Sequence, residues 1–177
     1  SGSQLDRQTA RYIKSFAEKM NAVHKEESGE AVWIIRYRDL IFLPNNSRID
    51  LFATDEAGQA EGWHPIVAGG EFAVIVDEAK TVSSEIFDAL DRCNGQTRRL
   101  DVSSPGGCTG HFYDICTRPD LGWSVHTITA FDCPHIRQEE ISYLIAQHGL
   151  HDPLVRSSLF AEFSSYSELV VIGREIY

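Results

Sequence analysis

The stretch Glu71-Phe72-Ala73-Val74-Ile75-Val76-Asp77-Glu78-Ala79-Lys80 limits what this chain can fold into more than any other. The unbroken apolar run at residues 72–76 predicts a strand buried on both faces of a parallel sheet, since a strand with one wet face would alternate. Such a strand delivers its next residues to the carboxyl edge of the sheet, where ligands bind in open α/β folds. In this chain those residues are Asp77 and Glu78. Two adjacent carboxylates are unfavourable unless a cation or a proton compensates them. Magnesium bound to a triphosphate supplies that compensation. In such a site Asp77 orients the metal's hydration shell, and Glu78 positions or deprotonates the attacking water. The plainer alternative is a strand end leading into a helix, whose N-terminal dipole favours Asp and Glu without any ligand.

The surrounding sequence supplies the other layers. Residues 4–23 carry Leu5, Tyr12, Ile13, Phe16, Met20 and Val23 at helical spacing, which predicts an amphipathic helix. A charged connector runs from there to residue 30. Residues 31–37 suit a strand that residues 39–43 extend, before the turn Pro44-Asn45-Asn46-Ser47 and a second strand at 48–53 form a hairpin. Residues 55–70 read as loop. A helix at 83–92 turns Ile86, Phe87 and Leu90 inward and stops at Asn94-Gly95. Strands are expected at 98–103, 123–130 and 168–176, with a short helix at 110–116. Another helix at 137–148 ends at Gly149. Asp152-Pro153 provides an N-cap and first-turn proline for a helix through residue 163. Strands alternating with helices imply an α/β fold with a largely parallel sheet flanked by helices.

At 177 residues the chain fits one ordinary domain. Ser1-Gly2-Ser3 reads as a cloning scar, which leaves residues 4–177 as that domain. No apolar run reaches the ~18–20 residues that span a bilayer, and no secretory leader opens the chain, so the expected address is cytoplasmic. The net charge of −10 argues against strong nucleic-acid binding by these residues alone. Four cysteines, Cys93, Cys108, Cys116 and Cys133, are too scattered for a disulfide scaffold and read as reduced core thiols. Zinc held by Cys108, His111, Cys116, Cys133 and His135 is a lesser alternative without paired knuckle spacing. His111 and His135 otherwise hydrogen-bond in the core. Trp33, Trp63 and Trp123 read as packing residues more readily than as base-stacking ones. Arg36 and Arg38, two apart, would share one strand face. Arg98 or Arg99 offers either a charge sensor or a surface ion pair.

One β-α unit after the acidic strand, Leu100-Asp101-Val102-Ser103-Ser104-Pro105-Gly106-Gly107 places small hydroxyl residues at the next strand end. Ser103 and Ser104 can hydrogen-bond the carboxylates or a phosphate, and the glycines let the backbone turn sharply. An ordinary Pro-Gly turn is the alternative.

Several stretches in one order then carry a family resemblance. They are Phe42-Leu43-Pro44-Asn45-Asn46-Ser47-Arg48-Ile49, Gly62-Trp63-His64, Val74-Ile75-Val76-Asp77-Glu78-Ala79, Ser103-Ser104-Pro105-Gly106-Gly107, Gly110-His111-Phe112-Tyr113, Trp123, Asp132-Cys133-Pro134-His135-Ile136 and Ser158-Leu159-Phe160-Ala161-Glu162-Phe163. In this the chain resembles phage terminase large subunits, two-part DNA-packaging motors with an N-terminal ATPase and a C-terminal nuclease. The resemblance implies a P-loop NTPase-like fold of the RecA/ASCE type, present in part. It implies Asp77 as the magnesium-associated Walker B acid, Glu78 as the catalytic carboxylate, and Ser103 and Ser104 as a coupling motif that senses the nucleotide. It also implies Mg²⁺ and ATP as cofactors of the whole protein. Double-stranded DNA, a portal or procapsid and a small terminase subunit would be its partners, with a possible homo-oligomeric ring, in a bacterial host cell. No role passes to His64. The sequence departs from that family by lacking any G-x-x-x-x-G-K-[ST] phosphate loop in these residues. The expectation is therefore a portion of a packaging ATPase, incompetent for hydrolysis alone. A helicase-like translocase and a non-catalytic α/β scaffold are the alternatives.

Overall fold

A computed structural model describes residues 9–53, 57–65, 68–93 and 95–164. The chain divides into two compact units, Ser1–Gln59 and Ala60–Tyr177. The first holds helix α1 (Thr9–Ser28) and an antiparallel meander of β1 (Trp33–Ile35), β2 (Asp39–Phe42) and β3 (Ser47–Asp50). A four-residue helical turn, α2 (Ala57–Ala60), stands at the junction. The second unit is built on β4 (Phe72–Asp77) and β5 (Gln96–Val102), joined through α3 (Ser84–Asp91). It continues with α4 (His111–Thr117), α5 (Gln138–His148) and α6 (Pro153–Phe160).

In the first unit α1 runs five residues beyond the expected boundary, to Ser28, because the charged residues read as connector are good helix formers. Gly29, at φ 81°, ends it. The helix also presents a different face from the one expected. Tyr12, Phe16, Met20 and Val23 are exposed, whereas Ala10 and Ala17 are buried with Leu40 and Leu51, backed by Ile13, Trp33 and Ile35. Small side chains let the helix lie close on a narrow sheet. Asn21 then fastens it: Oδ1 accepts from the Val32 and Trp33 amides at 2.9 and 2.7 Å, and Nδ2 donates to the Trp33 carbonyl at 2.9 Å. The span read as one long strand is two strands, with Trp33 opposite Phe42 and Ile35 opposite Leu40. Arg36 and Arg38 therefore lie in the reversal between β1 and β2 and share no strand face. Arg36 pairs with the buried Asp39 at 3.4 Å, and Arg38 lies 5.8 Å from the Tyr37 ring centroid. Leu5 and the expected last strand at 168–176 lie outside the described residues.

In the second unit β4 and β5 pair in parallel, with Ile75 opposite Leu100 and Asp77 opposite Val102. The right-handed βαβ preference places α3 on one face of such a pair, and Ile86, Phe87 and Leu90 are buried as expected. The expectation of a strand buried on both faces fails, however. Ile75 is 70% exposed, Leu100 54% and Val102 47%. β5 inverts the usual polarity: Arg99 and Asp101 turn inward with 5% and 0% of their side chains exposed, while Leu100 and Val102 turn out.

A second cluster, Ala130, Ile141, Val155 and Leu159, joins α5 to α6. Asp152 caps α6 as expected, its Oδ1 accepting from the Leu154 amide at 2.8 Å, but the helix ends at Phe160, where Ala161 takes a left-handed conformation (φ 54°, ψ 42°). Residues 123–129 form no strand. Their β-branched residues find no partner strand among the described residues, and strand preference counts for little without one.

These burial differences predict opposite outcomes for two apolar substitutions. Leu159→Ala should destabilise the second unit by about 2–5 kcal/mol. Ile75→Thr should stay within about 0.5 kcal/mol of the parent in the same urea titration.

Candidate functional site

The carboxyl edge of β4 carries the acidic pair. Asp77 ends the strand, and its Oδ1 accepts from the Glu78 amide at 3.0 Å. Glu78 then adopts a left-handed conformation, φ 55° and ψ 41°, that few residues other than glycine occupy. That reversal drops the chain into the 3₁₀ turn Ala79–Thr81, where the Thr81 hydroxyl donates to the Glu78 carbonyl at 2.9 Å. Buried Ala79 anchors the turn beneath the exposed carboxylates. The Glu78 side chain makes no capping hydrogen bond to that turn.

Ser103 and Ser104 leave β5 at the same edge, as the βαβ order predicts. Lys80, to which the sequence pattern gives no role, joins them to the acidic turn. Its amide donates to Ser103 Oγ at 3.3 Å, and its ammonium donates to Ser104 Oγ at 2.6 Å. Gly106 makes room for the lysine stem: a Cβ there would stand 3.3 Å from Lys80 Cδ. The signal available in the sequence is a cation three residues beyond Asp77 and a small-residue loop one β-α unit later.

The far side of this loop is held as well. The Ser157 hydroxyl on α6 donates to the Pro105 carbonyl at 2.7 Å, and the Ser164 amide donates to the Gly106 carbonyl at 2.9 Å. A parallel bridge joins Gly107 to Ser164. Residues 103–107 are thus pinned between the acidic turn and the segments around α6.

Asp77 and Glu78 offer adjacent, exposed carboxylates. That donor set fits magnesium, which takes one or two carboxylates and keeps several waters. It does not fit a closed zinc site, and among the described residues no three His, Cys, Asp or Glu side chains converge. Cys108, Cys116 and Cys133 are free and half-buried, and His111 packs on Phe87 with ring centroids 3.9 Å apart. Burial, and secondly the charge of Asp101, push the Cys116 thiol above its ordinary range. Arg99 is itself buried, pairing inward with Asp101 and outward with the exposed Asp91. It bonds Asp101 at 3.0 Å and Asp91 at 2.5 Å, and lies 4.9 Å from the Phe87 ring and 5.5 Å from the Trp123 ring.

His64, which carries no expected role, bonds its neighbour's carbonyl, Pro65 O, at 2.9 Å. Among the described residues no helix is long and apolar enough to cross a membrane.

The strained turn and the buried thiol each make a prediction. Glu78→Gly should preserve or raise stability, by up to about 1 kcal/mol, because glycine relieves the left-handed strain. Glu78→Val should lower it, and thermal melts of the two variants check the order. Iodoacetamide should label Cys116 with a half-maximal pH above that of free cysteine, since its thiolate forms later. The labelling-rate profile tests this.

No protein-family model matches the chain, and no curated protein matches it.

Proposed function

We propose that this chain supplies the acidic strand and the coupling strand of an ATP-hydrolysing core of the P-loop type, in the manner of a phage DNA-packaging motor. One observation carries the reading. A parallel strand pair brings Asp77-Glu78 and Ser103-Ser104 to one carboxyl edge and ties them together through Lys80. The absence of a side-chain cap from the exposed Glu78 favours it over a helix-capping role.

In this reading Asp77 would hold magnesium through its water shell, and Glu78 would accept a proton from the attacking water. Magnesium and ATP, when bound, supply the electrophilic phosphoryl group. Ser103 and Ser104, tied to the acidic turn through Lys80, would form the coupling segment. The bare apolar face of β4 and β5 also supports the reading, because parallel sheets are normally covered on both faces. Phosphate binding requires a glycine-lysine loop from polypeptide other than these residues. Double-stranded DNA, a procapsid and a small subunit are the partners proposed for the assembled motor.

This chain alone should therefore show no ATP turnover above background in a phosphate-release assay. In a longer polypeptide that includes a phosphate loop, Glu78→Gln should cut kcat roughly 10²–10⁴-fold with Mg-ATP binding retained. Asp77→Ala should weaken the magnesium-dependent part of that binding. Turnover indifferent to Glu78→Gln would sink the proposal.

A further inference from the structure

α1 has two apolar faces, and the meander covers one of them. Ala10, Ile13 and Ala17 pack with Leu40 and Leu51. Beside them runs a second stripe, Tyr12, Phe16, Met20 and Val23, spaced four, four and three residues apart. These residues are 70%, 66%, 48% and 57% exposed. Single exposed apolar residues are ordinary, but about three turns of helix lined with them mark an interaction surface.

The stripe differs between its two halves. The N-terminal half carries both aromatic rings. The C-terminal half borders a groove of about 520 Å³, where Met20 and Val23 join Val32, Phe42 and Pro44, with His24 and Glu27 adding polar groups. A knob at one end and a hollow at the other are complementary only in reverse order. A second copy turned about a two-fold axis supplies that order: Tyr12 meets Val23 and the groove, and Phe16 meets Met20, whose sulfur gains an aromatic neighbour. The tyrosine hydroxyl then arrives where the groove offers His24 and Glu27, as a buried phenol requires.

Charge selects the same arrangement. Arg11 and Glu26 are both exposed, near opposite ends of the helix and about 22 Å apart along it. An axis level with residue 18 pairs Tyr12 with Val23 and Phe16 with Met20, and it also brings each Arg11 toward the Glu26 of the other copy. A parallel pair would set Arg11 beside Arg11 and leave the groove empty. Lys19, nearest the axis, is drawn to its own Phe16 ring, 5.7 Å from the centroid. The net charge of the chain does not oppose contact here. α1 holds four Lys and Arg against three Asp and Glu, and residues 1–59 hold eight against nine, so nearly all of the net −10 lies in residues 60–177.

We propose that α1 is a self-association surface: two copies of this chain pair their α1 helices antiparallel, each Tyr12 seated in the other's groove and each Arg11 beside the other's Glu26. Such a pair closes on itself, whereas a head-to-tail contact would build a ring. Every residue it uses lies in the first unit, so it does not rest on the nucleotide reading. The contact is at the small end of protein–protein interfaces, which implies a reversible dimer.

Sedimentation equilibrium of the full chain in about 0.15 M salt, over roughly 1–200 µM, tests this. The parent should pass from monomer to dimer with a dissociation constant on the order of 10 µM. Phe16→Glu should stay monomeric throughout with the circular dichroism of the parent. Arg11→Glu and Glu26→Arg each set like charges together twice and should each weaken the dimer roughly tenfold, and the double variant should regain the parent's affinity. Ile75→Lys, on the bare face of β4, should leave association unchanged. A parent that is monomeric at every concentration overturns the proposal, and so does a dimer indifferent to Phe16→Glu. A dimer lost in Ile75→Lys belongs to the β4–β5 face and overturns it as well. Should Phe16→Glu fail to fold, the charge exchange decides alone: a double variant no tighter than the two single ones refutes the antiparallel pair.

Discussion

The buried pair of Arg99 and Asp101 is the constraint around which the second unit is organised. A strand that points charge inward must provide each charge with a partner before any packing can proceed, because an isolated ion in a protein interior is very costly. Arg99 meets that requirement with Asp101 on its own strand, Asp91 on α3, and the faces of Phe87 and Trp123. The guanidinium thus fixes where α3 lies and where the chain after α4 returns. Phe87, against the guanidinium, is buried, as are Leu90 and Ile115 in the same unit.

The same choice of faces determines the edge where chemistry is proposed. With Arg99 and Asp101 committed inward, the chain leaves Val102 with its serines beside the acidic turn, where Lys80 can take both. The loop's other attachments, Ser157 and Ser164, come from distant parts of the sequence. A displacement of Lys80 would be felt around α6, and a repacking of α6 would be felt at Lys80. Double-mutant cycles between Lys80 and Ser157 measure that coupling directly.

Much of this fold was legible in the sequence where local signals are strong. Asp152-Pro153, Gly149 and the Ile86-Phe87-Leu90 pattern each place a helix, because caps and periodicity act within a few residues. The parallel order of β4 and β5 follows from the alternation of elements, and with it the meeting of Asp77, Glu78, Ser103 and Ser104 at one edge. The features that escaped depend on contacts distant in sequence. The reversal at residues 36–38 contains neither Gly nor Pro, so no turn signal marks it. The exposed stripe of α1 and the inverted face of β5 reflect which neighbour each element meets, and periodicity gives a pattern without saying which side is covered. The left-handed Glu78 carries no mark at all, since a glycine would ordinarily stand there. Residues 123–129 have strand-forming side chains but no partner strand among the described residues.

The bare face of β4 and β5 bears on how copies of this chain behave toward one another. Ile75, Leu100 and Val102 form an adhesive strip that water does not favour. At neutral pH the net charge of −10 keeps these strips apart by mutual repulsion. Acid near the isoelectric point of about 5.1 removes that repulsion by protonating carboxylates, while leaving the strip unchanged. Dispersal in solution is then a balance between a long-range force that acid and salt weaken and a short-range attraction that neither removes.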